Sequence, residues 1–422
     1  MHKFITSSGK QLWYNVKNNR ISLFSPDNEK EACPVTHFNQ PTYTDCCKIT
    51  KFTIEMTQQC NLRCSYCCYS GSYRGRRAHN EKEISYETLN NVVEFIKLHA
   101  DKEAAEITVC FYGGEALLAR KKIEWVVSTL QAIYHEKIQF SLSTNGLALT
   151  ENVIDWLATF DKFFVNVTID GNKDMHDRCR KTLARKGSYD IIIKNLELFK
   201  SKYPSFFKEN IRFLSTVYSW SEVKKLAEIW DSEPVLKGHY PVRISHIIPD
   251  FNDSSRVYDT WNIKDDFYQA AFLAYTHENE GVMSGCFQKL IDIVDNRNYR
   301  RLAKEVNIET CFQDLFSCFI NVDGDLYACE KFCNEAKIGE VRNGIDKNLA
   351  IPLLQRFTER KNRLCSSCWA QRFCRMCMTS LNYTDEEIER MCEMERDSIS
   401  LALKYYCDLK DWELINHKKI KK

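Results

Sequence analysis

Short apolar runs alternate with amphipathic stretches over much of the chain from residue 52 onward. The runs have strand length and are rich in β-branched and aromatic residues, whereas the stretches between them repeat apolar residues at helical spacing. The predicted strands are 52–57, 106–111, 138–142, 163–169, 211–217 and 242–247. The predicted helices between them are 85–99, with Ser85 as the N-cap, 116–134, 151–159, 189–200 and 221–230.

A strand followed by a helix, repeated in this way, is typical of an α/β fold with a parallel sheet. Six such units predict a partial (β/α)6 barrel. Barrels of this kind place their chemistry at the carboxyl ends of the strands. We therefore expect functional side chains in the segments that directly follow the predicted strands.

The remaining segments differ from the barrel in pattern and composition. Residues 1–50 contain a predicted β-hairpin, formed by 11–16 and 21–24. The expected organisation is this N-terminal region, the barrel over 51–255, a helical connection over 256–305, a cysteine-rich domain over 306–407 and a basic tail over 408–422.

Composition narrows the classes of function. The 422 residues include 59 Lys and Arg against 57 Asp and Glu, a formal charge of +2, so no global field recruits nucleic acid or an anionic membrane. No run of about 18 apolar residues predicts a membrane span. The 20 cysteines, without a secretion signal, indicate metal or redox chemistry in a reducing cytoplasm. Because exposed cysteine-bound metal centres are oxygen-labile, we expect an anaerobic or low-oxygen bacterial setting.

Three cysteines follow the first predicted strand in the run Cys60-Asn-Leu-Arg-Cys64-Ser-Tyr66-Cys67. Three thiolates at this spacing suit one [4Fe–4S] cluster and leave its fourth iron free to bind a small molecule. A zinc knuckle or a set of core thiols is the alternative. The spacing, with its aromatic residue before the last cysteine, resembles the radical S-adenosylmethionine (SAM) enzymes, whose cluster binds SAM and cleaves it to a 5′-deoxyadenosyl radical.

Further polar motifs stand where the next predicted strands end: Gly113-Gly114-Glu115, Ser143-Thr144-Asn145, Asp170-Gly171 and the run His176-Asp177-Arg178-Cys179-Arg180. Each alone also suits an ordinary turn. By resemblance to the radical SAM enzymes, Glu115 binds the methionyl amine and Arg180 pairs with the methionyl carboxylate, whereas His176 supports the loop. The residues implied to contact SAM are Gly113, Gly114, Glu115, Ser143, Asn145, Asp170 and Arg180.

The cysteine-rich domain resembles the SPASM extension of these enzymes, which holds two auxiliary [4Fe–4S] clusters. The resemblance implies one cluster on Cys311, Cys318, Cys329 and Cys377 and a second on Cys365, Cys368, Cys374 and Cys392. One departure is that only two residues separate Cys374 from Cys377, where three are usual. A zinc ribbon on Cys365, Cys368, Cys374 and Cys377 is the alternative. Three [4Fe–4S] clusters and SAM are thus the expected cofactors.

Enzymes of this architecture act mostly on peptides, and the motif pattern most resembles maturases of ribosomally made peptides of the sactipeptide and ranthipeptide type. We expect a cross-link in a precursor peptide, foremost a cysteine thioether, with a flavodoxin or ferredoxin as reductant. A strand within residues 1–50 could pair with the leader of that peptide.

An anaerobic sulfatase maturase, which forms formylglycine, is the first alternative to a cross-linking maturase. It needs a base, for which Asp314, Asp323 and Asp325 are candidates. A non-catalytic iron–sulfur electron carrier is the second alternative, although it leaves the Gly-Gly-Glu motif without a role.

Overall fold

The computed structural model describes residues 1–23, 35–40, 48–219, 221–247, 265–277, 281–297, 305–307, 317–332, 336–374 and 376–416. The strands are β1 His2–Ile5, β2 Gln11–Asn15, β3 Arg20–Ser22, β4 His37–Asn39, β5 Lys51–Thr57, β6 Ile107–Gly113, β7 Ile138–Thr144, β8 Phe163–Thr168, β9 Ile211–Val217, β10 Pro241–His246, β11 Glu305–Asn307, β12 Ser317–Ile320, β13 Asp325–Tyr327, β14 Lys337–Glu340 and β15 Gly344–Ile345.

The α-helices are α1 Tyr86–His99, α2 Arg120–Tyr134, α3 Glu151–Leu157, α4 Lys173–Cys179, α5 Tyr189–Lys202, α6 Pro204–Asn210, α7 Ser221–Ser232, α8 Asp265–His277, α9 Val282–Asn296, α10 Lys347–Cys365 and α11 Asp385–Ile415. Both described helices of the predicted connection, α8 and α9, agree with its expected helical character. Among the described residues, no helix is long and apolar enough to cross a membrane.

A ten-stranded sheet forms the centre of the molecule, in the order β10-β9-β8-β7-β6-β5-β12-β13-β14-β15. Strands β5 to β10 pair in parallel with their sequence neighbours, so the six predicted strands and the partial barrel are confirmed. Strand β12 of the cysteine-rich domain then pairs in parallel with β5. The sheet of the barrel therefore continues into the next domain, which the sequence did not predict.

Alternating burial along the barrel strands separates a helix-covered face from a concave face. On β6, Val109 and Phe111 are fully buried, whereas Thr108, Cys110 and Tyr112 are half-buried. Helix α1 covers the first of these faces, and its predicted N-cap is confirmed, since the Ser85 side chain accepts from the backbone N–H of Thr88. The concave face thus keeps polar side chains within reach of a ligand.

The N-terminal region packs onto the C-terminal part of the chain. Strands β1, β2 and β3 form an antiparallel sheet, which confirms the predicted hairpin and adds a strand before it. The His2 ring stacks on Trp369 with centroids 3.6 Å apart, and the backbone N–H of Ser7 donates to Asp408 of α11. Helix α11 passes the expected domain boundary at residue 407, and residues 417–422 lie outside the described part of the chain.

Candidate functional site

The loop after β5 brings together Cys60, Cys64 and Cys67. Burial raises the pKa of Cys60, and it raises the pKa of Cys64 to about 11, with the neighbouring Cys60 adding to the shift. A hydrogen bond with Cys68 raises the pKa of Cys67, followed by burial and by the charge of Cys64. The three thiols therefore lie close enough to influence one another's ionisation, as ligands of one cluster must.

Two N–H groups and one histidine ring nitrogen lie close to these sulfur atoms. The backbone N–H of Tyr69 donates to Cys67 Sγ at 3.4 Å, and the His79 Nε2 atom lies 3.4 Å from the same sulfur. The Asn145 side-chain amide donates to Cys60 Sγ at 3.9 Å. Hydrogen bonds of this kind stabilise cluster thiolates and tune their potential, so the loop fits an iron–sulfur cluster.

The described residues contain no group of three or more His, Cys, Asp or Glu side chains arranged around a single metal ion.

Two glycines allow β6 to end against the cysteine loop. A Cβ atom at Gly114 would lie 1.9 Å from the carbonyl oxygen of Gln59, and one at Gly113, whose φ is +139°, would lie 2.2 Å from that of Thr57. The backbone N–H of Glu115 donates to Gln59 O at 2.8 Å. The glycines thus fix the Gly-Gly-Glu loop beside the residues that precede Cys60.

The Glu115 carboxylate is buried and joins two strand ends. One oxygen accepts from the Thr144 hydroxyl at 2.8 Å and from the Leu117 backbone N–H at 3.2 Å, and the other accepts from the Asn145 backbone N–H at 2.7 Å. Burial raises its pKa. A carboxylate held by three donors is rigidly placed, and sequence analysis predicted its chemistry but not these partners.

Tyr66, Asp170 and Arg180 form a second buried group beside the cysteine loop. The Tyr66 hydroxyl donates to Asp170, and Arg180 Nη1 donates to the Tyr66 hydroxyl at 2.9 Å. The other Asp170 oxygen accepts from the Thr216 backbone N–H at 2.7 Å. Arg180 Nε is buried and has no hydrogen-bond partner among the described residues. A buried donor of this kind fits the carboxylate that the sequence motif implies.

The other predicted loop residues support this group. His176 Nε2 lies 3.0 Å from the Ser188 hydroxyl, and its Nδ1 lies 3.4 Å from the Asp170 backbone N, so His176 holds the loop as expected. Ser143 is half-buried on the concave face of β7. Asn145 meets the cysteine loop directly, because its side chain also donates to Asn61 at 2.7 Å.

Four cysteines of the C-terminal domain influence one another's ionisation. Burial raises the pKa of Cys365 to about 11 and the pKa values of Cys374 and Cys392 to about 12, and each shift includes the charge of another member of the group. Cys368 contributes to the shifts of Cys365 and Cys392. The four cysteines implied for the second auxiliary cluster thus lie in one region of the domain, and their binding of a cluster stays a prediction, whereas Cys377, which a zinc ribbon would use, is exposed.

The set implied for the first auxiliary cluster is not assembled by the described residues. Cys318 is fully buried on the same side of the sheet as its β5 neighbour Phe52, and its thiol contacts the backbone carbonyls of Phe319 and Tyr327. Cys329 lies beside Glu330, with Sγ 3.1 Å from the carboxylate. Cys311 lies outside the described residues, so this ligand set remains a prediction.

A cavity of about 220 Å³ opens between the barrel and the hairpin β12–β13. Its lining includes Arg77, which donates from Nε to buried Glu55 and lies over the Tyr69 ring. The Nη1 and Nη2 atoms of Arg77 are buried and have no hydrogen-bond partner among the described residues. The Tyr69 hydroxyl donates to the backbone oxygen of Glu330, which also lines the cavity. No sequence pattern marks Arg77, whereas Glu330 directly follows a predicted cluster ligand.

The acidic residues considered as bases have other partners or lie outside the described residues. Asp323 pairs with Lys82 at 2.7 Å, and Asp325 pairs with Lys337 at 2.6 Å. Asp314 is not among the described residues.

Two family models match the chain. The model of the Radical SAM superfamily matches residues 54–228, and the SPASM model, described as an iron–sulfur cluster-binding domain, matches residues 311–369. The first match contains the cysteine loop and the polar motifs at the ends of β6, β7 and β8. The second contains Cys311, Cys318, Cys329, Cys365 and Cys368.

Related proteins include several maturases. A cysteine-type anaerobic sulfatase-maturating enzyme of Clostridium novyi is 25% identical over 309 residues, 68% of this chain and 74% of that protein. Mycofactocin maturase MftC of Mycolicibacterium smegmatis is 23% identical over 66% of this chain and 63% of its own length, so that match spans less than two thirds of the relative. The solved structure of native anSMEcpe with bound AdoMet and Cp18Cys peptide superposes with a TM-score of 0.62 at 18% identity, covering 86% of this chain and 99% of that one.

Proposed function

We propose that this chain, which belongs to the radical SAM superfamily and carries a SPASM domain, is a maturase that oxidises a cysteine-containing peptide. [4Fe–4S] clusters and SAM are the cofactors of these two domains, and when bound they supply the 5′-deoxyadenosyl radical and an acceptor for the surplus electron. Cys60, Cys64 and Cys67 hold the first cluster in this proposal. Glu115 and Arg180 hold the methionyl amine and carboxylate.

The cavity at Arg77 carries the proposal of a peptide substrate. Four N–H bonds on Nη1 and Nη2 have no acceptor among the described residues, and buried donors of this kind are normally satisfied. The cavity lining includes four carboxylates, on Glu55, Asp323, Asp325 and Glu330, against the two cations Arg77 and Lys82. The excess of carboxylates in the lining therefore suits a neutral or cationic stretch of peptide better than an anionic ligand.

The product that we expect first is a thioether. A C–H bond and the S–H bond of a peptide cysteine are replaced by one C–S bond, so the peptide loses two hydrogens. Cys110, Ser141 and Ser143 are half-buried on the concave face, so their polar groups lie on the side of the sheet that a bound peptide would face. This outcome rests mainly on the motif resemblance.

Formylglycine formation is the second candidate, and Glu330 favours it. That reaction needs a base for the thiol proton of the substrate, and the Glu330 carboxylate lines the cavity beside Cys329. The sulfatase-maturating enzyme of C. novyi, whose match covers most of both chains, is a further reason to test this reaction.

Reconstituted enzyme, dithionite and SAM, incubated without oxygen, test both candidates in one experiment. The peptides are a cysteine-containing peptide encoded beside the gene and a cysteine-containing sulfatase peptide. A cross-link removes two hydrogens, whereas formylglycine also replaces sulfur by oxygen, so mass spectrometry separates the products. Absence of 5′-deoxyadenosine in every reaction would leave only an electron carrier and overturn the proposal.

A further inference from the structure

We propose that residues 181–187, together with Arg63, form the docking surface for an acidic one-electron donor protein that reduces the first cluster. We call residues 181–187 the basic hairpin. The inference rests on the proposed function only in requiring that the cluster on the Cys60–Cys67 loop be reduced. It does not depend on which peptide is modified.

The basic hairpin lies directly against the cysteine loop. Thr182 forms an antiparallel bridge with Leu62, and the backbone N–H of Arg63 donates to Lys181 O at 2.7 Å. The backbone N–H of Ser65 donates to Cys179 O at 3.0 Å. Arg63 and Ser65, the residues of the cysteine loop whose backbone N–H groups make these contacts, are exposed. The cysteine loop therefore reaches the surface on the side of the hairpin.

The hairpin is a defined structure. The backbone N–H of Thr182 donates to Lys186 O at 2.8 Å, and that of Arg185 donates to Thr182 O at 2.9 Å. At its base, a Cβ atom on Gly187 would lie 2.1 Å from the carboxylate of Asp177, which accepts from the backbone N–H of Ser188. The exposed side chains of the hairpin are thus held in place relative to the cysteine loop.

Charge and exposure identify the partner. Lys181, Arg185, Lys186 and Arg63 are exposed, and none of the four has an ion pair with another described residue. Leu183, 63% exposed, stands at the tip among them. Since the whole chain carries only +2, this surface is a local concentration of positive charge. A protein with an acidic rim around a surface redox centre is complementary to it.

The position of the surface favours electron delivery over peptide binding. Electron tunnelling slows exponentially with distance, so a donor gains most by docking where the cluster loop is exposed. The cavity at Arg77 is lined by β5, the segment 77–82 and the β12–β13 hairpin, none of which belongs to the basic hairpin. A peptide in that cavity and a donor at the basic hairpin therefore use different surfaces.

Arg185→Glu combined with Lys186→Glu tests the proposal, because both side chains are exposed and neither contacts the implied SAM site. Lys121→Glu combined with Lys194→Glu makes the same change of charge on exposed positions of α2 and α5. The probe is flavodoxin hydroquinone. Stopped-flow absorbance records its reduction of the reconstituted cluster at low and high ionic strength, and dithionite-driven formation of 5′-deoxyadenosine is measured on the same proteins.

We expect the second-order rate of reduction by flavodoxin to fall at least about tenfold in the hairpin variant at low salt, and to approach that of the wild type at high salt. The control variant keeps the rate of the wild type, and dithionite-driven cleavage stays equal in all three proteins. Equal rates in the hairpin variant and the wild type overturn the proposal, as does an equal loss in the control or a wild type that flavodoxin does not reduce. Failure of the proposed function itself appears separately, as absent cleavage with dithionite.

Discussion

Replacing Glu115 by Gln tests whether this carboxylate binds SAM or only joins strand ends. The substitution keeps the size of the side chain and removes its charge. Three donors converge on the carboxylate, from Leu117, Thr144 and Asn145. The amide keeps one acceptor oxygen and turns an NH2 group toward at least one of these donors. The Thr144 hydroxyl can rotate to accept a hydrogen bond from this NH2 group. A backbone N–H can only donate, so one that faces the NH2 group loses its acceptor.

The substitution has two possible effects, one on the free energy of unfolding and one on the binding of SAM. A backbone N–H left buried without an acceptor lowers the free energy of unfolding by about 1–3 kcal/mol. Loss of a charge-assisted hydrogen bond to the methionyl amine costs about 1.5–3 kcal/mol of binding free energy, or about 10- to 150-fold in the Kd for SAM. If Glu115 only joins the strand ends, the substitution lowers the free energy of unfolding alone. If Glu115 also binds SAM, the Kd for SAM rises as well.

The assay is anaerobic equilibrium binding of SAM to reconstituted protein, with iron content and the thermal midpoint measured on the same samples. We expect a Kd raised at least about tenfold with unchanged iron. Glu136→Gln, at an exposed carboxylate that precedes β7, is the matched control. An unchanged Kd with a lowered midpoint would show that Glu115 is structural, and the SAM assignment would be wrong.

Four further predictions follow from the same contacts. Replacing all three cysteines of the first motif by Ala lowers iron from about twelve to about eight atoms per chain and abolishes cleavage of SAM. His79→Phe removes a ring nitrogen that lies 3.4 Å from Cys67 Sγ, so redox titration followed by electron paramagnetic resonance gives a first-cluster potential that differs from that of the wild type. Cys318→Ala lowers the iron content, because the resemblance to the SPASM extension makes this thiol a ligand of the first auxiliary cluster. Burial lowers the pKa of His2 to about 4, so the folded state favours the neutral ring. The free energy of unfolding is therefore highest above about pH 6.5 and decreases as the pH falls toward 4. Hydrogen exchange in β2 measures this decrease.

Each of these predictions has a control. Cys286→Ala changes a cysteine of α9 outside both cysteine groups and keeps the full iron content. His99→Phe is the control for His79, and equal potentials in wild type and His79→Phe would refute an effect of the His79 ring on the cluster. Unchanged iron in Cys318→Ala would remove this residue from the implied cluster ligands. A pH dependence that persists in His2→Phe would assign the acid transition to another group.

Most strands and helices of the barrel could be predicted from the sequence because each one has its own periodic pattern of apolar residues. Strand β9 has the predicted bounds, 211–217, since buried residues alternate with exposed or half-buried ones along its whole length. The predicted helix 116–134 is interrupted, because the Glu115 side chain caps a short 3-10 helix, Ala116–Ala119, before α2 begins at Arg120. Helices α4 and α6, of seven residues each, are too short to give a clear period.

The features that the sequence did not predict depend on distant contacts. Strand β12 has four residues and is defined by pairing with Lys51–Ile54, more than 260 positions away in the chain. The environment of Arg77 likewise depends on distant segments, because β5, the segment 77–82 and the β12–β13 hairpin together line the cavity. The grouping of Cys365, Cys368, Cys374 and Cys392 came from the resemblance to the SPASM extension and stays a prediction, whereas the burial of Cys318 follows from its strand register.

The pairing of β12 with β5 also bears on how the protein is made. Because main-chain hydrogen bonds join the first barrel strand to the cysteine-rich domain, a nascent barrel released before that domain is synthesised has an open edge at β5. Unpaired edges recruit other strands and promote aggregation. Completion of the barrel therefore waits for the last quarter of the chain, whose own folding depends on metal when its cysteines bind clusters. In an iron-poor cell, we expect this protein to be lost to aggregation and proteolysis rather than to accumulate as a folded, partly loaded enzyme.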